Sequence, residues 1–193
     1  MKRDLIALII AGLIPITCAG FDEAGELHQA RKATAEFGGA LKAELMAAMQ
    51  SGGVLNAIDV CNIRAVEISD EVSLATAMNL SRVSQQNRNP DNASNDWQTA
   101  VLMDFESRKQ AGEAADSLSW HEIASTGAGQ EFRFMKAIPT GGLCLQCHGK
   151  AIASPVAEKL AELYPGDKAT GYEQGDLRGA FVITRQLDQA GAD

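Results

Sequence analysis

The order of patterns along this chain predicts an α+β fold built around an antiparallel sheet. Three observations carry that expectation. A long helical stretch comes first, alternating segments suited to strands follow it with helices interspersed, and the last pattern, residues 179–187, is itself a strand. A bundle of four helices would not end in such a strand. No repeat, low-complexity tract or linker divides the sequence, so a single domain is expected.

The N-terminus comes first. Met1-Lys2-Arg3 opens the chain basic, although Asp4 dilutes it; residues 5–16 are almost wholly apolar, and small residues around Cys18-Ala19-Gly20 follow. This is the layout of a secretory signal peptide. The apolar run falls well short of the roughly 20 residues that a membrane-crossing helix needs. The expectation is therefore a signal peptide over 1–19, cleavage after Ala19, and a periplasmic domain over 20–193 with no integral membrane span. A retained anchor helix and lipid attachment at Cys18 are the alternatives, and Pro15 and Thr17 are poor neighbours for the second.

Residues 22–50 are rich in Ala, Glu, Leu and Lys, with Leu27, Thr34, Phe37, Leu41, Leu45 and Met49 near helical spacing, so a long amphipathic helix is predicted. If the protein forms a homodimer, this helix is where the sequence places the contact. Gly52-Gly53 should end it. A second helix should run to about Val72, its apolar stripe made by Val54, Ile58, Cys61, Ala65 and Ile68, which turns Cys61 inward. Residues 76–86 read as a strand and 87–92, Asn-Arg-Asn-Pro-Asp-Asn, as a turn. Trp97, Val101 and Phe105 at i, i+4, i+8 mark a helix over 97–112, whereas the segment around His121 carries no clear pattern. Residues 131–138 alternate, with Phe132 and Phe134 on one face of a strand. A loop, a short helix over 151–163 stopped by Pro165-Gly166, and the final strand complete the chain.

The formal charge of −8 gives no basic face for nucleic acid and disfavours an anionic membrane surface. A basic redox partner would suit it. Four cysteines in an oxidising compartment suggest two disulfides by default. The spacing of the last pair overrides that default, because residues 143–150 read Leu-Cys-Leu-Gln-Cys-His-Gly-Lys.

Cys-x-x-Cys-His in an exported protein is the attachment signature of haem c. Two thiols three residues apart, Cys144 and Cys147, can form thioethers to two vinyl groups on one porphyrin edge. The adjoining His148 then offers its imidazole to the iron. A thioredoxin-like motif would need a βαβ setting, and a zinc site would need a second ligand pair. One covalent haem c is the cofactor expected.

No Met or His follows His148, so a second axial ligand must come from upstream, or the iron is open. Once the haem is attached and the signal removed, Cys61 is the one thiol left, and it has no disulfide partner. It reads either as a small buried hydrophobe or as a ligand, and the residues alone leave both readings standing. His28 and His121 read better as structural side chains, and Met46, Met49, Met78, Met103 and Met135 as core. Arg82, Arg88 and Arg133 are candidates to pair with haem propionates; for any single one an exposed arginine is the reading that ranks ahead, and Arg88 has the best claim because its turn needs something to hold it.

Several stretches together resemble the Tll-like haem domain family, exported haem c domains with a PAS-like fold that occur alone or as sensor parts of bacterial signalling proteins. They are Ala57-Ile-Asp-Val-Cys61, Arg82-Val-Ser, Arg88-Asn-Pro-Asp-Asn92 with Trp97, Phe132-Arg-Phe-Met-Lys, Cys144-Leu-Gln-Cys-His-Gly149, Tyr164-Pro, Gly171-Tyr and Gly175-Asp-Leu-Arg-Gly179. The resemblance implies a PAS-like antiparallel sheet with a long N-terminal helix and flanking helices. It also implies that Cys61 is the second axial ligand, opposite His148. Ser94 and Asn95 stand where the family has a Pro-containing step, and Gln98 where it has an acidic residue; these should alter a turn and not the iron.

A thiolate ligand stabilises ferric iron, so a His148/Cys61 haem should have a low reduction potential. The expected role is electron carrier or redox sensor, with an unidentified redox partner. The alternative is a sensor of diatomic gas in which Cys61 is displaced. An enzyme such as a peroxidase has least support, since only His28 or His121 could supply a distal base.

Overall fold

Asp22 caps a long helix, α1 (Glu23–Asp59), by accepting a hydrogen bond from the Gly25 amide at 3.0 Å. The computed structural model describes residues 22–187, and the predicted signal segment, with Cys18, lies outside the described residues. Gly53 adopts φ +73°, ψ −169°, so the predicted stop is a break, and the chain resumes helix at once. After Asp59 the coil widens into a π-turn over Val60–Arg64 before α2 (Ala65–Thr76). The sequence reading anticipated one plain helix here, because one turn of π-helix leaves too short a trace in the apolar spacing to be seen.

The strand β1 (Asn79–Val83) is shorter than anticipated, and a 3₁₀ turn over Pro90–Asn92 leads into α3 (Asp96–Gln110). Asn95 and Gln98 form a reciprocal capping box at its start, each side chain bonding the other's backbone amide at 3.0–3.1 Å. Asn95 and Gln98, two of the residues expected to alter this turn, thus make the cap together. Two strands follow, β2 (Ser119–Thr126) and β3 (Gly129–Pro139), then the short α4 (Leu145–His148), α5 (Ser154–Leu163) and the last strand, β4 (Leu177–Leu187). The sheet order is β1-β4-β3-β2 with every neighbouring pair antiparallel.

The sheet is buried on both faces. Phe132, Phe134 and Ile183 pack against Ala30, Ala33 and Phe37 of α1 and Ile68 and Val72 of α2. The alternate residues Met135, Ala137, Ala180 and Val182 pack against Val101, Leu102 and Phe105 of α3. A smaller cluster of Ile58, Val156, Leu160 and Tyr164 joins the end of α1 to α5, and Cys147 packs onto it. Met78 and Met135 are core as expected, but Met46 and Met103 are 43% and 61% exposed. Their helical spacing places them on the outer sides of α1 and α3, which correct that expectation. No helix of the described residues is long and apolar enough to cross a membrane.

Candidate cofactor site

The segment after β3 is bound into place before it reaches the motif. The Thr140 amide donates to the Asp176 carbonyl at 2.7 Å, and the Gly175 amide to the Thr140 carbonyl at 2.8 Å. A 3₁₀ turn over Gly142–Cys144 then runs into α4, so Cys144, Cys147 and His148 lie along one short helical stretch. Gly149 ends it in close contact: a Cβ there would stand 2.6 Å from the Leu145 carbonyl oxygen. The motif also pairs with the segment before β4, through the Tyr172 amide to the His148 carbonyl (3.0 Å) and the Gly171 amide to the Gly149 carbonyl (3.1 Å).

His148 Nδ1 lies 2.7 Å from the Ala169 carbonyl oxygen. A carbonyl only accepts, so Nδ1 carries the proton and Nε2 keeps its lone pair. Nε2 meets a guanidinium nitrogen of Arg178 at 2.6 Å. Burial, helped by the nearby charges of Arg178 and Arg88, pushes the imidazole pKa down to about 2. The ring is neutral at working pH, the form that can bind a metal. Burial also raises the Cys147 thiol above its ordinary range, a shift that Arg88 opposes.

These groups face a cavity of about 530 Å³, and Cys61, Arg88, Cys144, Cys147 and His148 all line it. Cys61 reaches it from the π-turn, and single π-turns inside helices are frequent at functional sites. Leu41, Leu45, Met49 and Val54 of α1 give the cavity an apolar wall. A smaller polar recess of about 70 Å³ shares Cys61, Arg82, His148, Tyr164 and Arg178 with it and adds Asn87 and Asn89. Among the described residues Cys61, Cys144 and Cys147 are free thiols. Two thiols and a neutral imidazole on one stretch, a third thiol from another element and an apolar wall are a donor set that fits a haem, and the volume falls within the usual range for cofactor sites.

Arg88 is engaged where it stands. Its Nε bonds Asp167 at 2.9 Å, and its Nη2 donates to the carbonyls of Cys147 (2.6 Å) and Ala169 (3.3 Å). It holds the motif and the Ala169 segment together. Arg133 is elsewhere, paired with Glu122 and Glu131 and lying over the Trp97 ring. His121 pairs with Glu23 at 3.2 Å, and His28 is exposed on α1; neither lines the cavity. Arg178 was missed. Its signal lay in the stretch Gly175-Asp-Leu-Arg-Gly179, already singled out for its resemblance to the family.

Comparison with solved structures finds the cyanobacterial heme-protein Tll0287, which aligns over 88% of this chain and 100% of its own with a TM-score of 0.65. Sequence identity is 22%, so the likeness is one of fold. No curated protein matches the chain. The Tll0287-like family model matches residues 21–185, a span that takes in α1, the π-turn, the motif and nearly all of β4. By that match the chain belongs to the Tll0287-like family.

Proposed function

We propose that this is an exported mono-haem c protein, with His148 and Cys61 as axial ligands, that works as a low-potential electron carrier or redox sensor. The observation that carries the reading is the convergence of Cys144, Cys147, His148 and Cys61 on one cavity. Its solved relative, of the same fold, is a heme-protein. When bound, the haem would supply a one-electron ferric/ferrous couple.

The chain's own residues do the rest. Cys144 and Cys147 would hold the group covalently by adding their thiols to its two vinyl groups. The Ala169 carbonyl holds the Nδ1 side of His148, which leaves Nε2, now against Arg178, as the nitrogen that would bind the iron, and such a bond raises an imidazole's basicity as a ligand. Cys61, as a sulfur ligand to the iron, would donate electron density and favour the ferric state. The apolar wall from α1 limits water, which strengthens electrostatic effects inside. Removal of the segment 1–19 on export would leave Cys61 as the one unattached thiol.

The test is paired absorption and EPR spectra of the haem-loaded protein, wild type and Cys61→Ser. A low-spin ferric signal of thiolate character, lost in the variant, is expected. A high-spin or unchanged spectrum would overturn the ligand assignment and favour the gas-sensing alternative. Covalent attachment is read separately: acid–acetone should leave the pigment on the wild type and release it from Cys144→Ala/Cys147→Ala.

A further inference from the structure

We propose that Arg82 and Arg178 form a carboxylate clamp in the cavity, one that takes the acidic side chains of the tetrapyrrole. The inference rests on the haem reading above and adds to it the groups that orient the cofactor.

Arg82 stands on β1 opposite Phe181 of β4, and Arg178 lies near the start of β4, so the strand pairing carries both to the same end of the sheet. Both line the large cavity and the polar recess beside it. Neither has a carboxylate within ion-pair distance among the described residues, whereas the other two well-buried arginines, Arg88 and Arg133, each hold one. Burial lowers the affinity of both guanidinium groups for their protons, and a neighbouring positive charge adds to it, Arg178 at Arg82 and Arg88 at Arg178. Two like charges set inside a fold without a counter-charge are costly, and a bound anion removes that cost.

The donors are also free. Arg178 uses one terminal nitrogen on the His148 ring, and its Nη2 and Nε have no partner among the described residues. Arg82 lies over the Phe37 ring at 5.5 Å, which covers a face of the guanidinium and leaves its N–H edge available. Such an edge matches a carboxylate with two parallel hydrogen bonds. A small hydrated anion would gain nothing from the apolar wall of Leu41, Leu45, Met49 and Val54. The site as a whole suits a large apolar ring that carries carboxylates on one edge. Arg88, with its guanidinium bound to Asp167 and two carbonyls, is a positioning residue for the motif.

The experiment titrates the full chain, made without haem attachment, with mesohaem and with mesohaem dimethyl ester. Mesohaem has no vinyl groups, so thioether formation cannot mask affinity, and the ester differs from it only in its blocked carboxylates. The wild type should prefer the free acid by about tenfold or more, the effect of one or two charge-assisted pairs. Arg82→Gln/Arg178→Gln should lose that preference, and Arg82→Lys/Arg178→Lys should keep part of it. The preference is a ratio within each protein, so a general loss of affinity cancels. The single Gln variants, each losing part of the ratio, serve if the double variant does not fold. A wild type indifferent to esterification, or a Gln variant with the full preference, overturns the clamp and leaves the haem reading standing. A wild type that binds neither porphyrin overturns both.

Discussion

Arg88 and Asp167, 79 residues apart in sequence, form a 2.9 Å ion pair whose side chains are only 10% and 13% exposed. Because Arg88 also donates to the carbonyls of Cys147 and Ala169, one guanidinium joins the turn before α3, the motif helix and the segment that orients His148. Truncating one partner of a largely buried pair leaves the other uncompensated. Arg88→Ala is therefore expected to cost about 3 kcal/mol. Asp167→Ala should cost less, about 1–2 kcal/mol, since Arg88 keeps its carbonyl acceptors. Denaturant titration of both variants and the double variant checks this. The double variant should lose clearly less than the two singles together, because the partners share one interaction. Strict additivity would show that the pair is not coupled.

Gly179 is the tightest backbone contact near the site. Its φ is +148°, and a Cβ would stand 2.2 Å from the Val83 carbonyl oxygen. It lies opposite Ile138, where the β3–β4 register shifts. Gly179→Ala should cost more than about 2 kcal/mol, through positive φ and backbone collision together. At Gly149 the φ of −76° is ordinary, so the penalty of Gly149→Ala is steric alone, against the Leu145 carbonyl. Gly149→Ala should therefore disturb the motif helix while Gly179→Ala destabilises the sheet. Thermal melts of the two variants compare the sheet cost, and absorption spectra of the haem-loaded forms report the motif.

Most of the fold was legible because its elements carry strong periodic signals. Phe132 and Phe134 announced β3, and Trp97, Val101 and Phe105 announced α3. The strand β2 went unread because most of its residues are only half buried, and its turn to β3 is set by a short stretch of small residues. The π-turn at Cys61 was invisible for a different reason. It adds one residue to a helical turn, and the apolar stripe through Ile58, Ala65 and Ile68 survives that addition.

At the site, local chemistry was readable and long-range pairing was not. Cys144, Cys147 and His148 are contiguous, so their spacing alone pointed to a cofactor. That Arg88 would spend its guanidinium on Asp167, or that Arg178 would lie against the His148 ring, depends on tertiary placement across 79 and 30 residues. Sequence patterns do not encode such contacts. An arginine near a motif looks the same whether it holds the loop or faces the cavity.

The two-faced burial of the sheet leads to a test of additivity. Phe132 and Phe105 are both fully buried but belong to separate clusters, one under α1 and the other under α3. Phe132→Ala and Phe105→Ala should each cost about 3–5 kcal/mol, from lost burial plus a residual cavity. In the more conservative pair Phe132→Leu and Phe105→Leu the two losses should add to within about 0.5 kcal/mol. Guanidinium unfolding of the single and double Leu variants measures it. A large coupling would mean that the two layers respond as one packed unit.

Asp176 gives a pH-dependent prediction. Its carboxylate accepts from the Glu173 amide at 2.7 Å and from Lys109 at 3.3 Å, and those contacts, the amide first, hold its pKa below the ordinary value. Its carbonyl receives the Thr140 amide, so the same residue ties the approach to the motif to the approach to β4. A carboxyl group with a depressed folded-state pKa adds stability above its unfolded pKa of about 3.9, and that contribution disappears as the pH falls through the folded value. The wild type should therefore be more stable than Asp176→Asn at pH 7, and the gap should narrow as the pH drops below about 4. Urea titrations of both proteins at pH 7, 5, 4 and 3 check the sign. A gap that stays constant with pH would show that the difference between the two proteins does not come from the charge of the carboxylate.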